Sequence, residues 1–385
     1  MPTEPSTGEQ TLNARLRKRR EEFGASIPQL ADWSGLEEQR ITDIEDGAAL
    51  RSWEFEELCR ALAVDSGALA QGEETSPRRS VARFKSASWV DPTPDDFRKL
   101  ALAAELGRIG GFLAEQVAQP VDLEDLRDPQ PIAGEPWRQG YRLGERARMA
   151  LAPQPGPVRD LEKLLTQRGI HVAQVTFSSA DLDAASLWER GSLPIILVNT
   201  RSARTRSTLS RRALLAHELC HLLHDSGERE ITTQLSWGEG SGNYSEKVER
   251  RARAFAPAFL APRNEVKTWF RAGPARRIHD DEAKVEELAR RWGFSFKGAI
   301  WHAKNCGLIS ARKAEDLYRS TTDELHDWMG EFEKDLGYST APDSEGEQID
   351  EASSIVQGAL LKLVAAAATG GLISEGRRRE IATWK

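Results

Sequence analysis

The chain has 385 residues, 39% of them hydrophobic, and its three cysteines, Cys59, Cys220 and Cys306, lie far apart; it can build two or three domains but neither a disulfide framework nor a Cys-x-x-Cys metal site. No run approaches the roughly eighteen apolar residues of a membrane span, and the opening MPTEPSTGEQ is polar with no apolar signal region, so the expectation is a cytoplasmic protein without a membrane partner. The net charge of -7 excludes simple coating of nucleic acid but is uneven: residues 1–72 hold 8 Lys/Arg against 14 Asp/Glu, and residues 267–319 hold 12 against 7, which gives the later segment the better case for a polyanion.

In chain order, Thr11 to about Gly72 reads as a series of short amphipathic helices separated by turn signals. GEETSPRRS (72–80) and DPTPDD after Val90 read as linkers, and Phe97 to Val117 has helical spacing. A second irregular stretch ends in DPQPIAGEP. A helix over Trp137 to Ala150 follows, then one expected to hold Pro157 in its first turn and stop at Gly169. His171–Phe177, Ala185–Arg190 and Pro194–Asn199 are short, rich in β-formers and bounded by breakers, which predicts a small sheet. Helices return over Leu209–Leu223, Ser245–Leu260 and Asp281–Trp292, and the last 65 residues contain an acidic piece, SEGEQIDE, and a final helix, SSIVQGALLKLVAAAA.

The residues that carry chemistry are His217-Glu218-Leu219-Cys220-His221. On a helix, positions four apart share a face, so both imidazoles can reach one Zn²⁺ at about 2.0 to 2.1 Å. Glu218, about 100° round from His217, stands beside the ion, where a general base is useful. A catalytic zinc site normally needs a third protein ligand. Glu249 is the candidate: it edges the apolar stripe Val248, Ala252, Phe255, Ala256 and Phe259, so its helix can pack on the metal-bearing one, with Glu246 as the fallback. His224 reads as a partner of the helix dipole and Cys220 as packing. Tyr244 is a candidate oxyanion donor. PIILVN is read either as an exposed edge for a substrate strand or as an interior strand. Arg201, Arg204, Arg206, Arg211 and Arg212 are read either as a site for an acidic substrate segment or as a solvated basic face.

Over about residues 140 to 315 these motifs resemble the ImmA/IrrE family of zinc metallopeptidases: DLEKLLTQRGIHV, PIILVN, RRALLAHELCHLL, and Glu249-x-x-Ala252-x-x-Phe255-Ala256 leading to Phe259-Leu260-Ala261-Pro262. The resemblance implies a gluzincin-like site with His217, His221 and Glu249 on zinc and Glu218 as base, in a regulatory enzyme that cuts a repressor in stress or mobile-element responses. The chain departs from the family in Cys220, where glycine is usual, and in Arg253, where Asn or Asp is usual.

Residues 12–70 resemble a repressor-type (XRE) helix-turn-helix domain, through LNARLRKRREEFGASIPQLADWSGLEEQRITDIEDG and LCRALAV. Its third helix is acidic, with Glu37, Glu38, Asp43, Glu45 and Asp46 against Gln39 and Arg40 as the candidate DNA or protein contacts, and acidic residues repel phosphate. Val285–Ser310 also resembles a helix-turn-helix, basic in character, or serves as a helical buttress under the site.

The fold class expected is multidomain and mostly α with a small β-sheet. It comprises a helix-turn-helix module (1–72), a linker and helical connector (73–136), a zincin-like α+β metallopeptidase core (137–265), a helix-turn-helix-like extension (266–319) and an acidic helical tail (320–385). The function expected is a zinc metalloendopeptidase, one Zn²⁺ per chain with Mn²⁺ tolerated by the same ligands, acting on a helix-turn-helix repressor, with DNA and a second copy as further candidate partners. The rivals are a DNA-binding regulator or antitoxin with a non-catalytic peptidase-like domain, and an adaptor that only senses a ligand. Glu218 separates them, because a purely structural site has no use for a base.

Overall fold

In the computed structural model, residues 11–64, 66–72, 93–117, 123–126, 134–188, 191–225, 232–237, 245–321, 355–356 and 358–382 are described. Among them the chain is mostly helical around one small sheet. The N-terminal module holds α1 (Leu12–Phe23), α2 (Ile27–Ser34), α3 (Glu38–Glu45), α4 (Ser52–Ala61) and α5 (Ser66–Gln71). Its helices start and stop where local chemistry dictates: Ser26 and Gln29 form a reciprocal capping box at α2, and Gly24 and Gly35 close α1 and α2 in the left-handed region.

α6 (Pro94–Gln116) begins inside the stretch that reads as a linker in sequence. Thr93 and Asp96 cap it reciprocally with Pro94 at its start, so DPTPDD is in part a helix N-terminus. α7 (Pro136–Leu151) follows, then α8 (Leu161–Gln167). The helix expected to include Pro157 instead starts after Asp160, whose carboxylate accepts from the Lys163 N–H at 2.8 Å.

The sheet has four strands, β1 (His171–Val175), β2 (Leu182–Trp188), β3 (Ile195–Asn199) and β4 (Thr232–Trp237), in the order β1-β3-β2-β4. β1 and β3 are parallel; β2 runs antiparallel to β3 and β4. β2 begins earlier than its sequence pattern suggests, and β4 has no counterpart among the expected strands. β3 is interior and wholly buried, which removes PIILVN as the edge for an added strand. Its side chains alternate as a two-sided strand requires: Ile196 and Val198 enter one core, Ile195 and Leu197 the other.

The first core joins that sheet face to α10 (Thr208–His224), which follows the short α9 (Ala203–Arg206), and to α11 (Ser245–Leu260), α12 (Arg263–Arg271), α13 (Asp281–Trp292), α14 (Phe296–Asn305) and α15 (Ala311–Ser320). The basic segment Val285–Ser310 thus packs as a buttress, with Trp292, Phe296 and Ile300 buried in the core that α10 shares. The second core joins the other face to α6, the N-terminal module and α16 (Gly358–Thr369), which is followed by α17 (Glu375–Ala382). α16 starts later than its sequence pattern suggests, and ahead of it the Ile355 carbonyl accepts a hydrogen bond from buried His171 at 2.8 Å. α6 approaches the sheet closely: its Gly107 carbonyl accepts from the Leu193 N–H at 2.8 Å, and a Cβ on Gly111 would lie 2.1 Å from the Gly191 carbonyl oxygen.

Two buried arginines secure the first core. Arg148 donates to the carbonyls of Phe259 and Leu260 at the end of α11, and to Gln154 and Gly156. Arg212 donates to Trp292, Gly293 and Val158. With Arg212 only 2% exposed, Arg201, Arg204, Arg206, Arg211 and Arg212 do not form one basic face. These guanidiniums satisfy carbonyls that helix ends and turns leave without partners.

Helix α11 lies directly on α7 through Gly140 and Gly144. A Cβ on Gly140 would sit 2.2 Å from the Arg251 carbonyl oxygen, and one on Gly144 2.5 Å from that of Phe255. Gly140→Ala must therefore push the helices apart, at a cost of about 1–3 kcal/mol in denaturant unfolding, and displace Glu249. An unchanged unfolding midpoint would show that the two helices do not need this approach.

Candidate metal centre

Helix α10 carries the two histidines because an uninterrupted and largely buried helical run, capped at Ser207 and closed at Asp225, keeps His217 and His221 on one face. Their Nε2 atoms lie 3.0 Å apart. Across from them α11 presents Glu249, whose Oε2 is 3.2 Å from His217 Nε2 and whose Oε1 is 3.3 Å from His221 Nε2. The three donor atoms lie within 4.8 Å of one another, the one such His/Cys/Asp/Glu group among the described residues. Ligands at about 2.0–2.1 Å from a tetrahedral ion stand about 3.3 Å apart, and two imidazoles with one carboxylate are a donor set for a divalent cation with a coordination position to spare. The residues therefore fit a metal.

Burial and charge agree with this. Burial alone would raise the Glu249 carboxyl, but hydrogen bonds to His217 and His221 outweigh it and hold the group well below the usual carboxylate range. Glu218 is fully buried on the same helix, next to His217. Cys220 is buried too, and burial pushes its thiol up to about 12, so it stays protonated and packs. His224 stands apart from the cluster, its ring tilted against Phe255 at 6.1 Å. Tyr244 lies outside the described residues, as does the side chain of Glu246.

Two carboxylates near the histidines have no place in the sequence reading. Asp225 Oδ2 lies 2.7 Å from His221 Nδ1, and its other oxygen pairs with Arg251 of α11. Its spacing, four residues past His221, is a signal that helical periodicity carries. Asp183 on β2 accepts from Ser202 Oγ at 2.5 Å and pairs with Arg204 at 3.4 Å; burial raises its carboxyl despite these partners and the nearby charge of His217. A strand residue that meets the site only through sheet packing leaves no sequence signal.

In the N-terminal module, Arg40 is committed to its own chain. Its guanidinium holds Glu54 by two hydrogen bonds of 2.8 and 2.7 Å and reaches the Ala49 carbonyl, and these bonds lower the Glu54 carboxyl to about 2. Gln39 donates to Asp43 at 2.8 Å, and Arg20 grips Glu45 at 2.6 and 2.7 Å. Glu37, Glu38, Asp43 and Asp46 remain exposed.

No helix among the described residues is long and apolar enough to cross a membrane. No curated protein and no solved structure is matched by the chain. Two family models do match: residues 165–299 fit the peptidase family M78 model described as the IrrE N-terminal-like domain, and residues 12–71 fit a helix-turn-helix domain. The chain thus carries an IrrE N-terminal-like, metallopeptidase-like domain behind an N-terminal helix-turn-helix domain, the architecture of the ImmA/IrrE family with an added helix-turn-helix.

Proposed function

We propose that this chain is a regulatory zinc peptidase that cuts a protein substrate at a defined site, with His217, His221 and Glu249 as ligands and Glu218 as general base. The observation that carries the reading is the convergence of two imidazoles and a buried carboxylate, from two helices, beside a second buried glutamate. Bound Zn²⁺ would supply Lewis acidity, polarising the scissile carbonyl and acidifying a water molecule. Glu218 takes the proton of that water as it attacks and returns it to the departing amine. His217 and His221 act as neutral donors, and Glu249 and Glu218 each bring one negative charge, which together would balance a divalent ion. The same donors accept Mn²⁺.

The substrate we infer is a transcriptional repressor with a helix-turn-helix of its own, and the N-terminal module is read as its docking element. That reading is supported by the exposed acidic residues of α3 and by the internal engagement of Arg20 and Arg40, which leave the reading helix poorly equipped for phosphate. The helix-turn-helix match supports a second reading, a DNA-binding regulator or antitoxin with a silent peptidase-like domain.

Elemental analysis of the purified chain should find about one zinc per molecule, and none in His217→Ala; no metal in either, with none taken up on titration, would favour the DNA-binding reading. Glu218→Gln should keep its metal and lose about 10²- to 10⁴-fold in cleavage rate. Unchanged turnover would remove Glu218 as the base. On the docking reading, the isolated full chain should not be retained by duplex DNA even at low salt, whereas retention that falls steeply with salt would restore DNA as a partner.

A further inference from the structure

The reading of His217, His221 and Glu249 as ligands leaves open what aims each imidazole, and for His221 a carboxylate stands against the far ring nitrogen. The geometry points to Asp225 as a positioning residue for the metal site, held in place by Arg251, so that one ion pair orients His221 and ties together the two helices that supply the ligands.

Asp225 closes α10. Its backbone N–H donates to the His221 carbonyl at 2.9 Å, and its side chain turns back so that Oδ2 meets Nδ1 of the same histidine at 2.7 Å. The other oxygen faces the Arg251 guanidinium. A carboxylate oxygen accepts, so Nδ1 donates to Asp225, and the ring is turned with Nε2 toward Glu249 and His217. Ligating histidines are held in this way by a carboxylate on the far nitrogen.

Arg251 makes the contact more than local. It lies two residues past Glu249 on α11, so the helix that brings the carboxylate ligand also brings the cation that fixes Asp225. The same guanidinium hydrogen-bonds the Cys220 sulfur, and Asp225 is 5% exposed. Arg253, standing where the family usually has Asn or Asp, is exposed and plays no part in this contact. In this chain the support for the imidazole comes from the end of the metal-bearing helix.

The test compares Asp225→Ala, Asp225→Asn and Arg251→Ala with the parent full-length chain. Zinc affinity is measured by competition with a chromophoric chelator, and the His221 tautomer is read in the metal-free chain from its ¹⁵N ring shifts. Asp225→Ala should bind zinc about 10- to 100-fold more weakly and lose the Nδ1–H tautomer. Asp225→Asn, which keeps an acceptor oxygen, should lie between it and the parent, and Arg251→Ala should show a smaller loss of the same kind. A merely structural role would lower the unfolding temperature without this graded order or the tautomer change. Zinc affinity within twofold of the parent in Asp225→Ala, with Nδ1–H retained, overturns the proposal. A parent chain that takes up no zinc would overturn the metal reading instead, and the tautomer comparison would still decide whether Asp225 orients His221.

Discussion

Everything at the candidate centre depends on how closely α11 can lie against its neighbours. Two histidines on α10 have a shared face by virtue of helical spacing, but the carboxylate that completes the set lies 28 positions further on, on a different helix. Gly140 and Gly144 remove the side chains that would hold α7 off, so that α7 presses on the backbone of α11 near Arg251 and Phe255. Arg148 then engages the last carbonyls of α11. A helix pinned along one side and at its end places Glu249 within about 3 Å of two imidazoles, and small displacements would undo this, since interiors transmit rather than absorb strain.

The same region concentrates charge where water is excluded, which is costly unless each group has a partner. Glu249 meets two histidines; Asp225 meets a histidine and an arginine; Arg148 and Arg212 meet backbone carbonyls. These contacts run between elements far apart in sequence. They align α10, α11, α7 and the turn after α13, so the polar groups that surround the centre also hold its scaffold together.

The N-terminal module is built on the opposite side of the sheet. Its apolar residues join α6 and the second sheet face in one core, and buried Arg19 donates to the Leu62 and Ala63 carbonyls. The helix-turn-helix is thus seated on the layer that backs the strand β3, one layer from the metal-bearing helix. Two of its arginines are engaged with its own carboxylates: Arg20 with Glu45, Arg40 with Glu54. Pairs of this kind favour a stable domain over free cations for phosphate.

Much of this was legible in the residues. Helical periodicity placed α10, α11 and α13, the His-Glu-x-x-His spacing placed two imidazoles and a glutamate on one turn, and the apolar stripe of α11 singled out Glu249, because all of these are local patterns of period 3.6. α8 and α6 start where Asp160 and Thr93 cap them and not where the neighbouring prolines and acidic turn signals point. β4, the interior position of β3, the burial of Arg212 and the neighbours Asp183 and Asp225 were settled only in three dimensions. Strand order, burial of a charge and the partner of an imidazole depend on contacts between distant segments, and no local pattern encodes them. The sequence by itself determined which side chains stand on one helical face; the tertiary structure decided which faces meet, because that depends on where glycines permit backbones to touch.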